Sequence, residues 1–394
     1  MKRLLAAILA ALIGASALSA QETTFAQAKT DHYLVWAETG QERADELSKI
    51  LEGLFALFEE DMRLNPAVLK SRLTVRDFAD KEQFDNYLMQ IVGETKGDFV
   101  YLQYPTPERS ELLIFDKDKT DFAASLAHQA FVQYLKTFIP NPPLWIREGF
   151  AVYYERAAWD ASAGKVMFAE NTAWLETLKA LQNSGKLFST EALLAASSEK
   201  VAASLDVFYP QSWGFVSFLL GSGNPRYARF LWDSLSTLSP TASLEENQRA
   251  VSDLFHRWHD AKAAQEDFLT WLAGRKTFAE LVEEGVRLYG EKKAEEAEAV
   301  LAEALTKNEG NYIPYYYLGL LSYGKSEFDM AEYYYKTAGQ LGCDPATTNF
   351  ALGLNAYAMN RFDDARAYLT KAKEAAPERY ATRVDEVLSK IQTP

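Results

Sequence analysis

LGLLSYGKSEFDMAEYYYKTAGQL (residues 318–341) and LGLNAYAMNRFDDARAYLTKAKEA (residues 352–375) are two versions of one segment, set 34 residues apart. Outward from them, Gly285, Gly319 and Gly353 form a column at that interval. Ala297, Ala331 and Ala365 form a second column, and Ala304, Ala338 and Ala372 a third. Three columns in one register are hard to obtain by chance.

The period and residue types resemble the tetratricopeptide repeat. Leu318 and Leu352 before their glycines, and Pro377 near the end of the third unit, also fit, whereas the first unit has Glu284 at the leucine position. The resemblance implies repeats at 278–311, 312–345 and 346–379, with Arg379–Ile391 as a capping helix, in an α-solenoid of helix pairs. Such stacks curve to leave a concave surface, lined in this family by the first helix of each unit. That register implies a lining of Val282, Val286 and Tyr289, then Tyr316, Leu320 and Tyr323, then Phe350, Leu354 and Tyr357. None of the nine is a lysine or arginine, so a groove that grips a terminal carboxylate is not expected. An apolar protein or peptide segment, or an element of the chain itself, is, with aromatic anchors supplying the energy. Tyrosines at 289, 323 and 357 serve equally well as packing between repeats.

The region from Asp31 to about Glu155 has a mixed pattern. His32–Glu38, Ser71–Phe78, Asp98–Tyr104 and Glu111–Asp116 are strand-like, with β-branched and aromatic residues between polar or proline breaks. Leu47, Ile50, Leu51, Leu54, Phe55, Phe58 and Met62 lie at helical spacing. Two more helices are expected near Asp121–Phe138 and Leu144–Ala158, which makes an α+β domain. From about 160 to 277 only helices are expected, dense in aromatics of a core type. No linker separates these regions, so 31–277 is expected as one continuous unit.

Two segments of that unit carry a second resemblance. His128-Gln129-Ala130-Phe131-Val132 and Trp145-Ile146-Arg147-Glu148-Gly149-Phe150-Ala151-Val152-Tyr153 are similar to the gluzincin, or peptidase MA-like, metallopeptidases. The likeness covers about 31–235 and implies a zincin-like fold, but only the second segment is distinctive. Such enzymes place H-E-x-x-H on one helix, where two histidines bind zinc and the glutamate activates the metal-bound water. A later glutamate is the third ligand. His128 and Glu148 match the first and third ligands. Gln129 stands where the base should be, and a neutral amide cannot take a proton from water near pH 7. Val132 stands where the second histidine should be and offers no lone pair. These departures imply a pseudo-enzyme with no catalytic residue and no cofactor; zinc enters only if an unrecognised replacement ligand restores a working metallopeptidase. A hydrogen bond between His128 and Glu148 is expected as a remnant, holding two helices in register.

Composition bounds the rest. The 394 residues are 48% hydrophobic and 13% aromatic, enough to bury a core in two or three domains. The net charge of −14 argues against nucleic acid as a partner, since phosphate contacts need a basic face. Lys2 and Arg3 followed by the apolar run Leu4–Ile13 and small residues resemble a signal peptide over 1–20, with no later transmembrane segment. The chain is therefore expected outside the cytoplasm, periplasmic or secreted. Cys343 is the only cysteine, which leaves no internal disulfide. His256 and His259, at i and i+3, are expected as a solvated pair, and His32 as structural.

Overall fold

The structure, a computed structural model, describes residues 25–391; the expected signal peptide lies outside them. The chain divides into two compact units. One holds residues up to Pro143 with Phe150–Ala169 and Thr237–Asn247, and the other holds Leu144–Gly149, Glu170–Ser236 and Gln248 onward. The boundary expected at residue 277 falls inside the second unit.

The first unit is a small mixed sheet with helices. In chain order it runs β1 (Ala26–Lys29), β2 (Tyr33–Ala37), α1 (Gln41–Met62), β3 (Leu73–Phe78), α2 (Lys81–Ile91), β4 (Val100–Leu102), β5 (Glu111–Phe115) and α3 (Lys119–Phe138). Helix α4 (Leu144–Tyr153) follows, then the short strands β6 (Ala158–Asp160) and β7 (Lys165–Met167). The sheet order is β1-β2-β3-β5-β4. β2, β3 and β5 are parallel neighbours, and β1 and β4 are antiparallel edges. Parallel strands need a crossover, and α1 supplies the one between β2 and β3. The buried stripe of α1 is the expected one, with Ile50 only half-buried. Phe55 meets Tyr134 of α3 edge-on at 5.2 Å, and Phe58 meets Phe131 at 5.3 Å.

Four features differ from the sequence expectation, the first being α2 (Lys81–Ile91), capped by Asp80, where no helix was expected. β1 begins ahead of the expected start at Asp31. The α4 helix stops at Tyr153, short of the expected Ala158, because a 3-10 turn at Tyr154–Arg156 feeds β6. The stretch expected to be purely helical opens with β7, paired antiparallel to β6. The carboxylate of Asp160 accepts from the backbone of Ser162 and Ala163, and Gly164 takes φ +62°, so a tight turn forms where the composition looks featureless.

β3 buries a charge. Asp77 is 1% exposed, with Arg43 Nε donating to its Oδ2 at 3.1 Å, while its Oδ1 has no partner among the described residues. Desolvation outweighs the guanidinium and pushes this carboxyl up from its ordinary 3.8 to about 6. Between those values the folded chain holds a proton that the unfolded chain has released. Stability from this group therefore falls as pH rises through that window, and the penalty above it is on the order of 3 kcal/mol. Urea unfolding of Asp77→Asn should lose this contribution, narrowing the gap between pH 5 and pH 8. An unchanged gap would clear Asp77 of the effect.

Among the described residues, the second unit holds helices and loops but no strand, and the first turn of α10 falls in the first unit. After the start of α4 come α5 (Leu175–Asn183), α6 (Thr190–Leu194), α7 (Ser198–Ala202), α8 (Leu205–Gly221) and α9 (Pro225–Thr237). Next are α10 (Leu244–Trp258), α11 (Ala261–Gly274), α12 (Phe278–Gly290), α13 (Ala294–Lys307), α14 (Tyr312–Gly324) and α15 (Phe328–Gln340), then α16 (Pro345–Ala358), α17 (Phe362–Ala375) and α18 (Pro377–Lys390). The expected aromatic core is present: Trp213, Phe215, Phe218 and Phe230 are all buried. Thr277 and Glu280 close a capping box at the start of α12, and Lys179 of α5 holds Glu280 at 2.7 Å.

From α12 onward the helices pair as α12–α13, α14–α15 and α16–α17, and two geometric devices recur every 34 residues. A Cβ on Gly285, Gly319 or Gly353 would stand 2.6, 2.6 or 2.7 Å from Leu301, Tyr335 or Leu369 respectively. Lys292, Ser326 and Asn360, in the turns inside the pairs, take left-handed φ of 62°, 62° and 58°. Each glycine thus lets the second helix of its pair set a large side chain against the backbone of the first.

Candidate functional site

The nine positions expected as a lining lie on the first helix of each pair, and eight are half-buried while Phe350 is buried. Tyr316, Leu320 and Tyr323 pack on the core formed by Ala331, Tyr335, Ala351 and Leu352. Tyr289 meets Tyr317 edge-on at 5.3 Å. Phe350 stacks on Tyr380 of α18 at 4.7 Å, Arg383 lies over it at 4.5 Å, and Leu354 joins the same cluster. Tyr357 packs with Ala356, Ala365 and Ile391. Of the nine, therefore, Phe350 and Leu354 rest on the chain's own last helix, whereas Val282, Val286 and Tyr289 belong to the first helix pair. Large apolar side chains that the sequence pattern did not single out stand exposed on the second helices: Met330, Tyr333 and Phe362.

The peptidase-like positions sit on α3 and α4. His128 is held on the middle of α3 with Nδ1 donating to Glu155 Oε1 at 3.0 Å. Glu148, buried in α4, accepts from Arg147 Nε at 2.6 Å. Glu155 is the partner that sequence reasoning missed. Its signal was its place seven residues after Glu148, two helical turns on. Beside it, Tyr154 donates to Asp61 Oδ2 at 2.6 Å, and burial together with that carboxylate pushes its phenol well up. Phe131 and Tyr154 stand 5.1 Å apart, so this part of the core is aromatic.

These residues do not fit a catalytic zinc. Val132 is buried and offers no lone pair, and Gln129 is neutral, so neither supplies the second ligand or the base. Among the described residues no three His, Cys, Asp or Glu side chains converge as metal ligands. For His128 and Glu155, both partly buried, a double-mutant cycle of His128→Ala and Glu155→Gln should yield a coupling of about 1 kcal/mol. Simple additivity would mean that the contact does not hold α3 to the turn after α4.

Of the other histidines, His32 donates from Nδ1 to Glu52 Oε2 at 2.7 Å and stacks on Phe55 at 3.9 Å, a structural role. The solvated-pair expectation fails for His259. Its ring stacks on Tyr227 at 4.5 Å among Phe230 and Phe255, and burial pushes its pKa down, while His256 alone is exposed. Cys343 is buried, and burial pushes its thiol up.

No family model matches the chain, and no curated protein matches it at a significant level. Among the described residues no helix is long and apolar enough to cross a membrane.

Proposed function

We propose that the chain is an exported, non-catalytic scaffold or adaptor. In this reading a degenerate gluzincin-like domain precedes three tetratricopeptide repeats, which hold an apolar segment of a protein partner. The observation that carries it is the 34-residue recurrence of a glycine contact and a left-handed turn in three successive helix pairs. Repeated pairs of this kind stack into extended binding surfaces, and they need no catalytic group. Gln129 and Val132 support the absence of peptidase chemistry.

Lys179–Glu280 at 2.7 Å ties the repeats to the helices before them within the second unit, so cutting the chain at 277 would break a compact unit. Point changes are the better test. Val282→Ser with Val286→Ser, at the end of the lining away from α18, should strip the partner set captured from envelope extract by the full chain. Capture of the same set by a folded double variant would defeat the assignment of binding to this surface.

One observation favours the second reading, a working zinc metallopeptidase. A carboxylate on the far nitrogen of an imidazole, as Glu155 is on His128, is also how metal-bound histidines are oriented. Metal analysis of the purified chain separates the two. Stoichiometric zinc that survives mild chelation would sink the scaffold reading.

A further inference from the structure

The first unit contains a pocket that neither resemblance assigns. It lies where the last turns of α3 meet the start of β3 and the stretch between β4 and β5, and its volume is about 370 Å³. That is at the small end of the range for ligand sites. Three features of its lining point to one chemistry.

The first is charge. The chain carries 55 acidic residues against 41 basic ones, yet the pocket is lined by Arg72 and Lys136 and by no Asp or Glu among the described residues. The Nε of Arg72 donates to the Thr30 carbonyl at 2.5 Å, which fixes the base of its guanidinium fork. A planar fork of this kind suits a carboxylate. The second feature is shape. Tyr101, Tyr104, Pro107 and Pro140 supply flat apolar walls, and Ser110 is buried with its Oγ accepting from the Tyr104 backbone at 2.9 Å, so that wall is held in place. The third is a buried acceptor. Gln133 is 1% exposed, and its Nε2 donates to the Thr74 carbonyl at 2.9 Å, while its Oε1 has no partner among the described residues. A buried carbonyl oxygen of this kind gains from a donor.

We infer that this pocket binds the free carboxylate end of a peptide whose last residue is aromatic or apolar. The carboxylate goes to Arg72 and Lys136, the terminal side chain goes against the tyrosine and proline walls, and a backbone N–H answers Gln133. A free phosphate lacks both the apolar body and the N–H. The site is separate from the repeats, so it stands or falls apart from the scaffold reading.

The test is calorimetric titration of the full chain with acetyl-Ala-Ala-Tyr as its free acid and as its C-terminal amide. The acid should bind at least about tenfold more tightly, as a charge-assisted pair requires. Arg72→Gln and Lys136→Gln should each remove most of that advantage. Lys49→Gln, the same charge change on an exposed position of α1, should not. Because the acid–amide comparison is made on the unaltered protein, a misfolded variant cannot mimic the result. Equal affinity for acid and amide would overturn the proposal, as would no binding of either at millimolar peptide. Full displacement of the acid by millimolar acetate would overturn the peptide and leave a bare carboxylate.

Discussion

Tyr335→Ala should destabilise the second unit by about 3–5 kcal/mol, the range for removing a fully buried aromatic. Tyr335 is 1% exposed and lies against the backbone of Gly319. Its ring is 6.1 Å from Tyr316, and it shares a core with Ala331, Ala351 and Leu352, so it joins the second helix pair to the third. Burial pushes its phenol far up, so no pH change will rescue or worsen the variant through ionisation. The control is Tyr335→Leu, because Leu301 and Leu369 occupy the matching positions in the other pairs. A change that keeps most of the volume in a core costs under about 1.5 kcal/mol. Urea unfolding gives the magnitudes, and hydrogen exchange should place the Ala loss in α14–α17. If the Ala variant stayed within 1 kcal/mol of wild type, on the scale of ordinary single changes, the glycine–partner contact would not be what joins these helices.

Gly149→Val should cost at least about 3 kcal/mol, the upper end for overpacking. A Cβ on Gly149 would be 2.6 Å from the carbonyl oxygen of Ser212, 3.0 Å from its carbon and 2.7 Å from Val216 Cγ2. Two of those three atoms are backbone of α8, so rotating a side chain cannot relieve the clash. Gly149→Ala is the finer measurement. Alanine gains about 1 kcal/mol of helix propensity over glycine, which works against the clash. A net loss for Ala would therefore show that α4 and α8 cannot move apart, whereas a net gain would show that they can. Trp145 stacking edge-on against Phe215 at 5.3 Å is a second contact of the same helix pair, and it argues for the loss.

The strands of the first unit and the helices of the second were largely legible because each is set by local periodicity. β2, β3 and β5 lie inside their expected segments, where alternation or a continuous apolar run makes the strand plain. β6 and β7 were not legible, because three-residue strands carry no periodicity and owe their pairing to the Asp160 turn and to α1 beneath them. There, Val166 Cγ2 would stand 2.7 Å from a Cβ on Gly53. The candidate site was legible in identity but not in partners. His128 and Glu148 can be picked out by motif, whereas Glu155 and Arg147 become their partners only once α3, α4 and the turn after α4 are folded.

By itself the sequence determined the 34-residue period and the positions of the small residues, since each depends on residue type and spacing alone. Only the tertiary structure decided that the glycines face Leu301, Tyr335 and Leu369, and that Phe350 and Leu354 lie against α18. It alone also gathered Arg72, Lys136 and Gln133 around one pocket from segments up to 64 residues apart. The physical reason is that periodicity specifies which face of an element is apolar, but the partner of that face is chosen by close packing across the fold.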